Sequence, residues 1–152
     1  MPLAYHHHMG TVIETEEDTV RLLENTDDSV KLTLDTGHML FAKGNTQKIL
    51  EDFSSRIIHV HCKDIRKDVL DNSLQNDLSF REAFLDGAFT VPGDGCIDYK
   101  PLFDMLKEKK YSGWLVVEAE QDPEKANPFE YAKIGYKYLI DTLDKSNVEI
   151  YK

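Results

Sequence analysis

Residues 56–64 read RIIHVHCKD. The apolar and β-branched run marks a strand, and strand alternation sends His59, His61 and Lys63 to one face while Val60 faces the opposite layer. Three other runs behave alike: LAYHHH (3–8), VKLTLDTGH (30–38) and WLVVEAE (114–120). Each is a short apolar stretch that closes on a potential metal ligand. Strands ending on His, Asp, His and Glu, with helical segments between them, place those ligands on one rim of a parallel sheet. That rim is where α/β proteins build their sites.

The intervening segments carry helix signals. Thr15 with Asp18 three residues on opens a helix over 16–25, and Val20, Leu22 and Leu23 give it an apolar stripe. Asn45 or Thr46 caps a second helix running to Phe53. Residues 36–44 read as a loop with two glycines. The pattern loosens over 63–98, where only 79–86 looks helical, and FTVPGDGCIDY (89–99) reads as a loop. Helices are expected over 99–110 and 126–143, a fourth strand over 113–119, and a mobile tail over 144–152. Strand and helix alternation at this spacing predicts an α/β domain over 1–143 with right-handed crossovers. A closed eight-stranded barrel needs about 250 residues, so 152 residues allow an open sheet or half a barrel.

Net charge is −10, from 28 acidic and 18 basic side chains, with no basic stripe to meet a phosphate backbone. Neither a nucleic-acid partner nor a membrane is expected, since no apolar run approaches the ~20 residues of a span. The first residues lack the basic and apolar regions of a secretory signal. Two cysteines, Cys62 and Cys96, read as reduced thiols of a cytoplasmic protein.

The ligand candidates have bland alternatives. Asp35 in LDTGH fixes a cation or caps the next segment. His38, three residues on, reaches the same pocket or is an ordinary hydrogen-bonded side chain. Lys63 faces the site or snorkels to the surface. Glu118 ends a buried strand, where an ionised carboxylate is costly unless paired or metal-bound. Glu120 shares its face and is a site residue, a salt-bridge partner or a cap. Of the first-strand histidines, His6 and His8 point to one side and His7 to the other. Asp35, His61, Glu118 and a first-strand residue together form a mixed oxygen and nitrogen set, which favours Mn, Fe, Co or Zn over Mg or Ca. The loop VPGDGCID is not a GxGxxG, so no dinucleotide site is read from it.

In order, YHHHMGT, LDTGH, RIIHVHCKD, FTVPGDGCIDY and GWLVVEAEQDP resemble the inosose dehydratases, 2-keto-myo-inositol dehydratases of the xylose isomerase-like TIM-barrel superfamily. The similarity runs from about Leu3 to Tyr138. It implies the C-terminal half of a (β/α)8 barrel, an incomplete barrel with a divalent metal at its C-terminal rim. Mn or Co is implied first, then Zn or Fe. Asp35, His61 and Glu118 match ligand positions of the superfamily, and His6 stands where sugar epimerases have glutamate. Glu118, His38 and His8 are implied for catalysis; His38, Lys63 and Glu120 for contact with the substrate, a cyclic polyol ketone.

The implied reaction removes water after loss of an α-proton, with activity falling below pH about 6.5 as imidazole protonates. Three alternatives stand beside it: a sugar isomerase or epimerase, a non-catalytic half-barrel that pairs through its open sheet edges, as in a homodimer, and a metal-dependent endonuclease, which the acidic charge opposes.

Overall fold

A computed structural model describes residues 3–150. The chain runs β1 (Leu3–His6), α1 (Glu16–Glu24), β2 (Val30–Asp35), α2 (Thr36–Phe41), α3 (Thr46–Phe53), a single 3-10 turn, β3 (Ile57–Cys62), β4 (Asp64–Ile65), α4 (Lys67–Gln75), α5 (Phe80–Leu85), β5 (Phe89–Thr90), α6 (Tyr99–Glu108), β6 (Trp114–Val117) and α7 (Pro128–Lys145).

Four strands form one parallel sheet in the order β1-β2-β3-β6. Leu32, Leu34, Val60 and Cys62 project to one side and are fully buried. They pack against Leu23 of α1, Ile49 and Leu50 of α3, Leu102, Phe103 and Leu106 of α6, and Leu139 and Leu143 of α7. Burying side chains of this size contributes roughly 1.5–3 kcal/mol each, which makes this helical layer the chief apolar core. The register pairs Asp35 with His61 and His61 with Val116, so the alternate residues His6, Asp35, His61 and Glu118 face the opposite side.

That opposite side has no second layer among the described residues. Trp114, beside His59 in the register, is 74% exposed. Strands β1 and β6 each have one neighbour. The sheet is an open arc of the kind a barrel closes.

A second, smaller core covers the strand ends. Phe41, Ile65, Leu70, Ala83, Ala88 and Phe89 join α2, α4, α5 and the antiparallel pair β4/β5. Three of these elements depart from the sequence reading. Residues 36–41 are a helix, because Asp35 accepts the His38 amide at 2.9 Å and so caps the segment despite its glycine. Residues 67–75 form α4, whose polar face hides a stripe that buries only Leu70 and Ser73. Phe89–Thr90 is a strand, paired to Asp64–Ile65.

Elsewhere the caps follow the sequence: Thr15 and Asp18 form a capping box, and Asn45 caps α3. The tail expected from 144 is packed further than that. α7 runs to Lys145, Ser146 is buried, and Val148 lies against the main core. Residues 151 and 152 of that tail lie outside the described residues. No helix among the described residues is long and apolar enough to cross a membrane.

Candidate active site

Every parallel strand delivers one polar side chain to the same rim. His6 is the last residue of β1, Asp35 the last of β2, His61 the last but one of β3, and Glu118 follows β6 directly. One nitrogen or oxygen from each lies within 4.8 Å of the others. Asp35 is at the centre. Its Oδ2 is 3.2 Å from His6 Nε2 and 3.5 Å from His61 Nδ1, while its Oδ1 holds the His38 amide.

Burial disfavours the Asp35 carboxylate, but His6, His61 and the Lys63 charge hold its pKa well below the usual range. Burial also opposes a charge on His61. Asp35 and Glu118 outweigh it and draw the imidazole up to about 9. His61 Nδ1 and Glu118 Oε2 are buried 2.5 Å apart as an ion pair. Buried polar atoms are almost always paired. Two imidazoles and two carboxylates whose donor atoms lie this close fit a divalent cation, and two carboxylates neutralise its charge.

A second group lies beside the first. His38 Nε2, His8 Nε2 and a Glu120 oxygen also fall within 4.8 Å of one another. Lys63 Nζ sits among them, 2.8 Å from His38 Nε2 and 2.6 Å from Glu120 Oε2, and it reaches Asp35 Oδ2 at 3.4 Å. The lysine is fully buried rather than snorkelling. Burial opposes its charge, yet Asp35, Glu120 and Glu118 raise its pKa above that of a free lysine. Burial likewise pushes His38 down, leaving a neutral ring able to accept from the ammonium. Glu120 is lowered to about 2, because His38 and Lys63 overcome the cost of burial. Its backbone is in the left-handed region at φ 50, an uncommon place for a side-chain-bearing residue. Strain of this kind costs of order 1 kcal/mol and collects at functional sites. Rings of Phe80 and Phe89 close one side, 5.3 Å from His8 and 5.2 Å from His38.

Supporting residues went unread in the sequence. His7 points into the protein, fully buried, and its Nε2 accepts the Asp35 amide at 3.1 Å. Burial drives it down to about 3, so it stays neutral. Thr36 Oγ1 donates to the Lys63 carbonyl at 2.6 Å and accepts the Lys63 amide at 3.1 Å. Tyr99 Oη donates to the same carbonyl at 2.9 Å. A Cβ on Gly37 would stand 2.7 Å from Lys63 Cγ, so only glycine leaves room for the lysine stem. The alternation of the HHH run could have flagged His7; nothing in the sequence marks Tyr99. The VPGDG loop wraps Asp64, whose carboxylate accepts the Ile65 and Ile97 amides at 2.8 and 2.9 Å. His59 lies one step down the inner face, its ring 5.2 Å from that of His61, and stays outside both clusters.

With the rim described, comparison with known proteins places the chain. The family described as Xylose isomerase-like TIM barrel matches residues 1–142. The chain belongs to this family. Solved members of the same fold superpose on it: a D-tagatose 3-epimerase-like protein at TM-score 0.67 and 19% identity, covering 97% of this chain and 48% of that one, and the IolI protein with a zinc atom at 0.69 and 24%, covering 96% and 50%. Among relatives, an inosose dehydratase of Clostridium beijerinckii is 50% identical over 140 residues, 91% of this chain and 47% of its own length. The rhizopine catabolism protein MocC of Rhizobium meliloti is 50% identical over 137 residues, 90% of this chain and 42% of its own. This xylose isomerase-like chain therefore spans about half the length of the curated relatives it matches.

Proposed function

We propose that this chain carries the metal-binding rim of an inosose dehydratase, a hydro-lyase that removes water from 2-keto-myo-inositol. The convergence of His6, Asp35, His61 and Glu118 carries the reading. Identities of 50% and 49% to proteins named inosose dehydratase favour this chemistry over the sugar isomerases and epimerases of the same fold. The four residues would hold Mn²⁺ or Co²⁺, with Zn²⁺ or Fe²⁺ as further fits to a nitrogen and oxygen set. A divalent ion there supplies Lewis acidity to the substrate ketone and a neighbouring hydroxyl.

The remaining residues manage protons. A C–H proton next to the ketone leaves to a base, the substrate enol forms, and the β C–O bond breaks as its oxygen takes a proton and departs as water. The enol then becomes the second ketone. Glu118, His38 and His8 are the candidates for proton transfer, and their surroundings separate them. Glu118 lies in the ligand set, and His38 Nε2 is taken by Lys63. His8 donates from Nδ1 to the Met9 carbonyl at 2.7 Å, and its side chain is 26% exposed. Its Nε2 lies 3.5 Å from Glu120 Oε1, on the side from which a substrate would enter. Lys63 and Glu120 offer a donor and an acceptor for ring hydroxyls, and Phe80 and Phe89 a wall for the ring face. The cytoplasm suits the two free thiols.

Purified chain loaded with Mn²⁺ or Co²⁺ and given 2-keto-myo-inositol in D₂O should exchange the α-proton and release the dione. A folded, metal-loaded chain that does neither refutes the reading for this polypeptide.

The open sheet favours a second reading. With the inner face uncovered and Trp114 74% exposed, the chain pairs with another half-barrel, a second copy being one such partner, and is inactive alone. Activity that appears only in a dimeric fraction supports it; activity in a stable monomer refutes it.

A further inference from the structure

We propose that His8, His38 and Glu120 form a second divalent-cation site that Lys63 keeps closed by placing its ammonium where the ion would sit. This stands apart from the metal assigned above, because it concerns different donor atoms.

The three side chains present one donor each within 4.8 Å, two imidazole nitrogens and one carboxylate oxygen. That set suits Zn²⁺, Co²⁺ or Mn²⁺. The His8 ring is oriented as a ligating histidine is, by a bond from its far nitrogen: Nδ1 donates to the Met9 carbonyl at 2.7 Å, which turns Nε2 towards Glu120 Oε1, 3.5 Å away. Two acceptors facing each other at that distance call for something positive nearby. Lys63 provides it, at 2.8 Å from His38 Nε2 and 2.6 Å from Glu120 Oε2. The ammonium charge is met by the single carboxylate of the group, Glu120. An added divalent ion would meet the ammonium at contact distance.

The lysine is not free to withdraw. Its stem lies in the space left by Gly37, where a Cβ would come within 2.7 Å of Lys63 Cγ. Its backbone is pinned by Thr36 and Tyr99. It is buried, and its ammonium is held by His38 and Glu120 on the site side. Its head also lies 3.4 Å from Asp35 Oδ2 and 3.6 Å from Glu118 Oε2, so a fixed cation borders both clusters and keeps the rim to one exchangeable ion.

The test is a count of ions on the full chain with Co²⁺ and Zn²⁺, by calorimetry and by the visible spectrum of bound Co²⁺. The wild type should bind one ion and Lys63→Met two, with the extra ion lost again when His8→Ala is added. A wild type that binds no ion, with one ion in Lys63→Met that His8→Ala removes, supports the closed second site and refutes the metal assignment of the preceding section. A wild type that binds two ions, the second lost in His8→Ala, overturns the proposal. So does a folded Lys63→Met that binds no more than the wild type. Should Lys63→Met lose its native circular dichroism, Lys63→Gln replaces it, keeping a donor towards Glu120 without the charge, and the same gain of one ion over the wild type is required of it.

Discussion

His61 Nδ1 and Glu118 Oε2 stand 2.5 Å apart as an ion pair, both atoms buried. Asp35 Oδ2 lies 3.5 Å from the same nitrogen. Electron-rich atoms gathered this closely need a positive partner, a proton in the ion-free chain or a cation. Glu118→Gln keeps the shape and removes one ionised oxygen. Mn²⁺ affinity should then fall by about 100-fold or more, at or beyond the upper end of what loss of an outer partner costs. Calorimetric titration of both proteins measures it, and equal affinities would remove Glu118 from the ligand set.

The same pair sets a pH dependence. Burial alone would lower His61, but Asp35 and Glu118 raise it to about 9. The folded value lies above the unfolded one of about 6.5. In the ion-free chain this contributes stability that is complete below pH about 6.5 and lost as pH rises through about 9. An ion must expel that proton. Metal affinity should therefore climb nearly tenfold per pH unit from 6.5 to 8 and level off near 9, with about one proton released per ion at neutral pH. The limit lies well above the 6.5 of an ordinary imidazole, the value the sequence alone suggests. Titration in buffers of different ionisation enthalpy reads the proton directly; an affinity flat between pH 7 and 9 would contradict it.

Legibility in the sequence followed periodicity. β2 and β3 alternate over six residues each, and their bounds could be read to the residue. α2 could not. Its six residues include Gly37, and its N-cap is Asp35, a residue whose turn-forming and ligand readings compete. β4 and β5 have two residues each, too few for any period to register. At the rim, residue type and strand end were enough to nominate Asp35, His61, Glu118 and a first-strand residue, and the family resemblance singled out His6. The residues that fix them were silent because their role is a long-range contact: Tyr99 reaches Lys63 across 36 positions and His7 reaches Asp35 across 28.

That support predicts a coupling. Thr36 Oγ1 is 2.8 Å from Tyr99 Oη, and both hydroxyls bond the Lys63 carbonyl. Thr36→Val keeps the shape but leaves the Lys63 amide and part of its carbonyl unsatisfied in a buried place. It should cost about 2–3 kcal/mol, and Tyr99→Phe about 1–2 kcal/mol. Because both act on one carbonyl, the double variant should cost less than the sum by about 0.5 kcal/mol or more. Denaturant unfolding of the four proteins closes the cycle. Strict additivity would mean the hydroxyls act separately.

Trp114 supplies the last test. It opens β6 at the outer edge of the sheet, on the inner face next to His59 in the register, and is 74% exposed. Large apolar surface on an unpaired strand edge is a docking or aggregation site. If a second half-barrel covers it, its fluorescence should shift to shorter wavelength as protein concentration rises, in step with the mass from sedimentation. Trp114→Lys places a charge on that edge and should hold the chain monomeric at concentrations where the wild type pairs. Being at the surface, it should change monomer stability by no more than about 0.5 kcal/mol. A wild type that stays monomeric with a solvent-exposed tryptophan spectrum at all concentrations would rule out self-pairing and leave a different chain as the partner of this face.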